Sequence, residues 1–309
     1  MATISLSYPL AIGMPMFLII HNPLSNNRKS KKTTNKMVKF FKRHQIPFNL
    51  RSSLKIENLT DYLDKNPSIT DILFLGGDGS INYLINSVDI RKIKQNIYLA
   101  KSGSGNDFLR SLKGVSASSV TIGQAQMNGD RSTYFINGSG IGIDASVCHY
   151  VNIDTKKSKL SYFINVFRAV SHYKRNTMDV IVDGKEYHFH DCYFVAIQNG
   201  KYFGGGMKVA PQANIHDDRY VVCVAHNLNG FLLQLLFLSI YPGFHTSLKK
   251  WITMLSGKEI IVKSPDIKYM QADGEVIDNV NTLSVKKAFS KTFIAFNKAK
   301  IKKEYALKK

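Results

Sequence analysis

A glycine-rich turn set between a strand-like and a helix-like segment constrains the fold of this chain most. Residues 71–75 (DILFL) form an apolar run typical of a buried strand, and residues 76–80 (GGDGS) follow at once. Apolar residues then recur at helical spacing, at Ile81, Leu84, Ile85 and Val88. A strand, a tight turn and a helix in this order predict a parallel sheet covered by helices.

The same turn has the composition of a phosphate-binding loop. Glycines allow a sharp turn and close approach of a ligand to the backbone, and the first N–H groups of a helix favour anions. Asp78 repels phosphate unless a cation such as Mg²⁺ or a positioned donor lies between them. The alternative interpretation is a plain strand-to-helix turn capped by Ser80, and the motif alone does not decide between the two.

A second loop repeats the arrangement. The apolar run at residues 96–100 is followed by residues 103–108 (GSGNDF) and by a short predicted helix at 108–112. In a parallel sheet both loops lie at the carboxyl ends of strands, where such sheets bind ligands. The alternative role for Ser104 and Asn106 is capping and turn formation.

The remaining segments predict two domains. In the first part we predict strands at 16–20 and 47–50 and helices at 28–43 and 59–63. Beyond about residue 131, short segments rich in β-branched and aromatic residues predict a mostly antiparallel β domain, with strands at 133–136, 178–182, 192–198, 220–225, 259–263, 267–272 and 282–286. Helices are expected at 159–173 and 231–241. The apolar stripe of the second is more often packed core than a membrane wedge, and the Lys-rich end 298–309 is expected to be solvated or to lie on an acidic surface.

A third candidate element is residues 270–275 (MQADGE), in which Asp273 and Glu275 flank Gly274. Neighbouring carboxylates repel, so one of them holds its proton more tightly, which suits a general base. The alternative is a solvated hairpin turn, the commoner role of an Asp-Gly pair. Taken alone, this element favours the alternative.

The composition indicates the cellular compartment and the chemical class of the partner. The net charge of +20, from 42 Lys and Arg against 22 Asp and Glu, favours an anionic partner such as a membrane, a nucleic acid or a phosphorylated metabolite, or serves only solubility. The three cysteines have no metal or disulfide spacing, which indicates a reducing compartment. No segment reaches the roughly 18 apolar residues of a transmembrane helix, and we do not interpret residues 1–17 as a signal peptide.

Taken in order, these motifs resemble the bacterial diacylglycerol kinase family of the DgkB and YegS type, which is related to sphingosine and ceramide kinases. The resemblance rests on the segments 20–23 (IHNP), 76–80, 103–108 and 273–275, and residues 204–217 resemble the family's second-domain signature. It extends from about residue 16 to 290. Any one motif is weak, whereas five in the right order are specific.

The resemblance implies an α/β fold with two domains. Residues 16–131 would form an NAD kinase-like, Rossmann-type nucleotide domain, residues 132–290 a β-sandwich substrate domain, and residues 291–309 a segment returning to the first domain. The implied activity is that of an ATP-dependent lipid kinase, which transfers the γ-phosphate to the hydroxyl of diacylglycerol or a related lipid alcohol and yields phosphatidic acid.

The resemblance also assigns roles to residues. Nucleotide would be bound by Asn22, Gly76, Gly77, Asp78, Gly79, Ser80, Ser104, Asn106 and Asp107. Asp78, with Asp107 through water, would organise the Mg²⁺ of Mg-ATP. The catalytic carboxylates would be Glu275, Asp273 and Asp78, and Glu275 would accept the proton with Asp273 beside it. A structural Mg²⁺ would take the side chain of Asp217 and the backbone carbonyls of Asn214 and Arg219. Asp218 stands where the family usually has glycine.

The predicted setting is the cytoplasm, with the protein held peripherally on the inner face of an anionic membrane, where each surface cation adds ~1 kcal/mol. Expected partners are ATP and the lipid acceptor, with no nucleic acid, and a homodimer is one assembly to test. An NAD kinase-like or other small-molecule kinase is the first alternative, although it gives no reason for residues 273–275. A non-catalytic membrane or nucleic-acid binder is the second, and Asp78, Asp107 and Glu275 together argue against it.

Overall fold

A computed structural model describes residues 5–6, 16–23, 30–56, 58–102, 106–112, 117–153, 169–170 and 173–306. The chain divides into two compact units. The first comprises Met1–Val120 with Lys291–Lys309, and the second comprises Thr121–Ser290. The first unit ends ahead of the predicted boundary at residue 131, because the strand that follows forms a hairpin inside the second unit.

The first unit alternates strands and helices as predicted. Its elements are β1 Ser5–Leu6, β2 Met16–His21, α1 Ser30–Arg43, β3 Phe48–Ser52, α2 Leu59–Asp64, β4 Ile69–Gly76, α3 Asp78–Ser87, β5 Asn96–Lys101 and α4 Asp107–Ser111, with a 3₁₀ turn at Ser53–Lys55. The strands lie in the order β1-β3-β2-β4-β5, and all pairs except β1–β3 are parallel. The predicted Rossmann-type sheet is therefore confirmed.

The second unit is built mainly from antiparallel strands, also as predicted. Its elements are β6 Ser118–Met127, which begins in the first unit, β7 Arg131–Phe135, β8 Gly138–Gly142, α5 Ile143–Ile153, β9 Asn176–Val182, β10 Lys185–Cys192, β11 Phe194–Gln198, β12 Tyr220–Ala225, α6 Gly230–Ile240, β13 Ile252–Gly257, β14 Ile260–Ala272 and β15 Glu275–Ala295, with a 3₁₀ turn at Phe244–Ser247. Strands β14, β8, β11, β12 and β13 are neighbours in that order.

Some predicted elements of the second unit have different bounds. The two strands expected at 259–263 and 267–272 are one strand, β14, whose register shifts between Lys263 and Lys268. The strand expected at 192–198 is divided between β10 and β11. Most of the helix expected at 159–173 lies outside the described residues, of which 169–170 are helical.

Strand β8 (GSGIG) was missed by the sequence analysis because glycine disfavours strands, yet all five of its residues are buried. Its glycines are required by close packing. A Cβ on Gly140 would lie 2.5 Å from Asp144 Oδ2 and 2.9 Å from Val195 O. Gly142 has a φ of 124°, and a Cβ there would lie 2.4 Å from Tyr193 O. Glycine at these positions therefore lets β8 fit directly against β11 and α5.

Helix α7 (Lys298–Ala306) corrects the expectation of a solvated tail. The final residues of β15 pair in parallel with β5, and α7 then packs Ile301 and Tyr305 into the core of the first unit. These two residues lie four apart and so occupy one face of the helix. Tyr305 and Phe17 have ring centroids 5.9 Å apart. The lysines of α7 are solvated, but its apolar face packs in the core of the first unit.

Within the described residues, no helix is both long and apolar enough to cross a membrane.

The packing of α7 makes a prediction about stability. Ile301→Ala is expected to lower the free energy of unfolding of the first unit by about 2–5 kcal/mol, because it leaves a cavity beside a fully buried core. Lys302→Ala, on the exposed side of the same helix, is the matched control and should change little. Urea unfolding followed by circular dichroism measures both. Equal stability of the two variants would show that α7 does not contribute to the core.

Candidate functional site

The carboxyl ends of β2, β4 and β5 form one edge of the parallel sheet. The chain passes from β2 to β3 on one side and later places β4 on the other side of β2. Open α/β sheets bind ligands at such a reversal of strand order. His21 pairs with Leu75, and Gly76 pairs with Lys101, so the strands end side by side. The sheet thus brings Asn22 next to the glycine-rich turn.

The turn between β4 and α3 is shaped by close packing. A Cβ on Gly76 would lie 2.5 Å from the Cβ of Ser80, so this position has no room for a side chain. Gly77 is the N-cap of α3, and its extended φ of −104° is open to any residue. Ser80 does not cap the helix: it is the third residue of α3, is buried, and donates its backbone N–H to Gly77 O. Gly79 is exposed, with open space where a Cβ would stand.

This geometry suits an anionic ligand. No side-chain hydrogen bond caps the start of α3, so the first turn of the helix is not covered by a capping side chain. The open space beside Gly79 allows a ligand to reach them. The helix dipole adds a partial positive charge at the same point. Of the alternative interpretation, the strand-to-helix turn forms but the Ser80 cap does not.

Asp78 joins the two loops. Its carboxylate oxygens accept hydrogen bonds from the backbone N–H of Asp107 at 2.9 Å and of Phe108 at 3.1 Å. The backbone N–H of Ser102 donates to Gly76 O at 3.2 Å, which is a second link between the same strand ends. Asp78 therefore satisfies the first N–H groups of α4 and fixes the second loop against the first.

Asp107 is buried and forms a charged hydrogen bond with Arg110 in the next turn of α4. Sequence analysis did not select Arg110, although its spacing of three residues from Asp107 is that of a helical ion pair. Asn106 is the buried N-cap of α4 and makes no side-chain cap hydrogen bond. The third member of this loop in our predictions, Ser104, lies outside the described residues.

In the second unit, the predicted DGE element is a tight hairpin turn between β14 and β15. Asp273 has a φ of 51° and Gly274 a φ of 91°, the two left-handed conformations of a two-residue hairpin. Ala272 and Glu275 are the pair that closes the turn. Glu275 is exposed at the first position of β15. The alternative interpretation was therefore right about the backbone, and it leaves the role of Glu275 open.

The half-buried Asp273 directs its carboxylate towards backbone N–H groups. Its carboxylate accepts hydrogen bonds from Ile136 N at 2.8 Å, from Asn137 N at 2.8 Å and from Gly138 N at 3.2 Å. Its own N–H donates to Gly138 O at 2.9 Å. These bonds explain Asp273 as the residue that fastens the hairpin to the loop between β7 and β8. We therefore interpret Asp273 as a positioning residue rather than a catalytic one.

Gln271 and Asp144, which the sequence analysis missed, support the same turn from inside. Gln271 is fully buried, its Oε1 accepts from Gly274 N at 3.0 Å, and its Nε2 donates to Asp144 Oδ2 at 3.2 Å. Ser139 Oγ donates to Gln271 O at 2.8 Å. The two side chains are 127 positions apart in the chain, so no local motif marks the pair.

Burial raises the pKa of Asp144 to about 6, although the amide of Gln271 and the backbone N–H of Ala145 oppose the shift. Asp144 also lies on the wall of an apolar cavity of about 80 Å³ that is partly open to solvent. The cavity is bounded by α5, β11 and α6, and its described lining includes Val147, Phe194, Leu233 and Phe237. Among the described lining residues, Asp144 is the only polar one. The described lining therefore combines an apolar wall with one titratable group.

The predicted structural metal ligands lie in the turn before β12. Asp217 is exposed, and its Oδ1 accepts from Arg219 N at 2.9 Å. The backbone N–H of Asp217 donates to Asn214 O at 3.3 Å. Asp218, in the position where the family usually has glycine, directs its carboxylate to Lys258 Nζ at 2.8 Å and not into the turn. The three predicted ligands are thus close in the chain and in one turn, and their metal role stays a prediction.

Comparisons with known proteins agree with both units. Residues 16–134 match the diacylglycerol kinase catalytic domain, and residues 139–287 match the YegS C-terminal NAD kinase beta sandwich-like domain. The chain is 27% identical over 232 residues to the Bacillus subtilis protein named "Putative lipid kinase YtlR", covering 67% of this chain and 74% of that protein. It is 23% identical over 219 residues to a Mycobacterium tuberculosis diacylglycerol kinase, covering 66% of this chain and 70% of that protein.

The fold is also similar to a solved structure. A crystal structure of a diacylglycerol kinase from Bacillus anthracis superposes with a TM-score of 0.65 at 17% identity, covering 93% of this chain and 98% of that one. With both domain models matched in order along the chain, the chain belongs to the bacterial diacylglycerol kinase family of lipid kinases.

Proposed function

We propose that this protein transfers the γ-phosphate of ATP to the hydroxyl of diacylglycerol or a closely related lipid alcohol, with Mg²⁺ as the cofactor. The observation that carries the proposal is the link between the two loops at the sheet edge, where Asp78 holds the start of α4 against the glycine-rich turn. Family membership supports a lipid kinase. The acceptor is argued from the second unit.

The sheet edge fits a metal-bound triphosphate. The open backbone beside Gly79 and the start of α3 provide donors and a positive dipole end for phosphate oxygens. Asp78 lies beside them with a carboxylate, a preferred ligand type for Mg²⁺, and Asp107 follows on the neighbouring loop. When bound, Mg²⁺ would neutralise charge on the β- and γ-phosphates. Asn22, Ser80 and Asn106 line or support the same edge and are proposed to position the nucleotide.

The proposed reaction needs one proton acceptor. The acceptor hydroxyl oxygen forms a bond to the γ-phosphorus while the bond from that phosphorus to the β,γ-bridging oxygen breaks, and ADP leaves. The hydroxyl proton goes to a carboxylate, for which Glu275 is the candidate. Glu275 is exposed at the end of a rigid hairpin turn, which Asp273 and Gln271 fasten from two sides. A general base must be held in this way to act reproducibly.

The apolar cavity supports a lipid as the acceptor. Its wall of aliphatic and aromatic side chains suits an acyl chain, whereas NAD or another soluble metabolite would leave polar groups without partners there. Asp144, the one polar group among the described residues of the wall, is joined through Gln271 to the turn that carries Glu275. We propose that a lipid seated in the cavity is thereby aligned with the turn. This favours the lipid kinase over the small-molecule kinase.

Glu275→Gln tests the catalytic assignment. The amide cannot accept the proton, so kcat with diacylglycerol in mixed micelles is expected to fall by about 10²- to 10⁴-fold while the fold and ATP affinity stay unchanged. Glu259→Gln, an exposed glutamate in the same unit, is the control. Near-full activity of Glu275→Gln would overturn the assignment of the base. A parallel assay with NAD as the acceptor separates the two classes of kinase.

Asp78→Asn tests the nucleotide edge. The amide keeps one oxygen for the bonds to α4 but loses the negative charge, so affinity for Mg-ATP should fall by about ten- to a hundredfold. Isothermal titration calorimetry with ATP, in the presence of Mg²⁺ and of a chelator, measures the loss. Asp89→Asn, in the exposed turn after α3, should bind Mg-ATP like the unmodified chain. Unchanged Mg²⁺-dependent affinity in Asp78→Asn would contradict the proposed metal role.

Asp144→Asn tests the buried carboxyl through the pH dependence of stability. Because the folded-state pKa is raised, the native state binds the proton more tightly than the unfolded chain, and ionisation of Asp144 opposes folding. Its contribution to stability should therefore fall as pH rises from about 4 to about 6, by about 3 kcal/mol.

In Asp144→Asn this part of the pH dependence should be missing. Guanidinium unfolding at several pH values between 4 and 7 measures the difference from the unmodified chain, with the exposed Asp130→Asn as the control. A difference between Asp144→Asn and the unmodified chain that stays constant over this range would show that the carboxyl titrates normally.

A further inference from the structure

Helix α6 (Gly230–Ile240) has two apolar sides. The inner side packs into the second unit, where Leu233, Phe237 and Ile240 line the cavity. The outer side carries Phe231, Leu235 and Leu238, which are 71%, 56% and 60% exposed. The sequence analysis expected this helix to be packed core, and that expectation is correct for the inner side alone.

The exposed apolar residues form one surface. Phe231, Leu235 and Leu238 lie at positions i, i+4 and i+7, which is a single stripe along a helix. Tyr241 and Phe244, 41% and 71% exposed, extend the stripe beyond the helix end. We call these five residues the α6 patch. An apolar face of this kind on a helix without a charged residue is unusual for a surface in water and indicates a binding surface.

The charged residues that flank the α6 patch in the chain, between residues 219 and 258, are all cations. The sequence has no Asp or Glu between Asp218 and Glu259, whereas Lys249 and Lys250 are exposed after the 3₁₀ turn that follows the helix. Lys208 lies at the end of the helix, since its N–H donates to Ile240 O and a Cβ on Gly243 would lie 3.3 Å from its Cδ. Lys250 Nζ also lies 5.6 Å from the ring centre of Trp251. Apolar residues bordered by cations match an anionic lipid surface.

We propose that the α6 patch inserts into the leaflet of an anionic phospholipid bilayer that faces the protein, with Lys208, Lys249 and Lys250 contacting the headgroups. The inference rests on the proposed function, because a lipid acceptor has to pass from a membrane to the protein. The same helix separates the α6 patch from the apolar cavity. Docking through α6 therefore brings the helix that forms one wall of the cavity to the membrane surface.

The experiment compares two leucines of almost equal exposure in the full chain. Leu238→Gln is in the α6 patch at 60% exposure, and Leu54→Gln is the matched control at 62% in the first unit. Binding to vesicles of phosphatidylcholine with phosphatidylglycerol is measured by co-sedimentation. Leu238→Gln is expected to weaken binding by about tenfold, since one leucine no longer enters the hydrocarbon, and Leu54→Gln should have no effect.

Charge is tested in the same assay. Lys249→Glu with Lys250→Glu should reduce binding to the anionic vesicles, and the equal charge change at Lys286 and Lys287, two exposed lysines of β15, should reduce it much less. Vesicles of phosphatidylcholine alone should bind the unmodified chain weakly. Equal losses from the two lysine pairs would mean that net charge, and not the α6 patch, holds the protein on lipid.

Kinase activity separates failure of this inference from failure of the proposed function. With ATP and a short-chain diacylglycerol dispersed in solution, Leu238→Gln should be as active as the unmodified chain, yet with vesicle-borne diacylglycerol it should be slower. Activity on the dispersed lipid with no effect of Leu238→Gln on vesicle binding would overturn the inference and keep the function. Vesicle binding through the α6 patch with no activity on any lipid would overturn the function alone.

The other outcome of the test is that the α6 patch binds a second copy of the chain. In that case light scattering would show a dimer without lipid, Leu238→Gln would convert it to a monomer, and vesicle binding would not change. That result would overturn the proposal of membrane docking.

Discussion

The candidate site at the edge of the parallel sheet depends on the hydrogen bonds from the first two amides of α4 to the Asp78 carboxylate. The amides at the start of a helix need partners, and here the partner is a charged side chain from the neighbouring loop. A single carboxylate therefore links two strand ends and stands at the start of α3, which has no side-chain cap. Since the same group is the proposed Mg²⁺ ligand, loop structure and metal affinity are coupled.

The elements that could be predicted are those marked by short sequence patterns. Apolar runs such as 71–75 bounded by glycine identify buried parallel strands, and the order of the loops identified the family. Strand β8 was missed because its glycines serve packing and not strand propensity. The Asp144–Gln271 pair was missed because only the tertiary fold joins two residues that are far apart in the chain. Helix α7 was missed because its lysines concealed a two-residue apolar face.

In the second unit, hydrogen bonds hold the turn between β14 and β15, and apolar side chains line the cavity. Asp273 and Gln271 fix the hairpin that presents Glu275, while α5, β11 and α6 enclose the cavity. Asp144 belongs to both, as a cavity wall and as the partner of Gln271. In the proposed function, the cavity would hold an acyl chain of the lipid and the turn would hold its hydroxyl, and one connected set of residues would serve both. The outer side of α6 adds the surface through which such a substrate would arrive.

The central claim is that the chain moves the terminal phosphate of ATP onto a lipid alcohol. The most direct test incubates the purified full chain with γ-labelled ATP, Mg²⁺ and a total bacterial lipid extract, followed by separation of the organic phase and identification of the labelled species by chromatography and mass spectrometry. The account predicts label in a phosphatidic acid or a related phosphorylated lipid, and none when Mg²⁺ is chelated. Label confined to water-soluble products, or absent from every product, would contradict it.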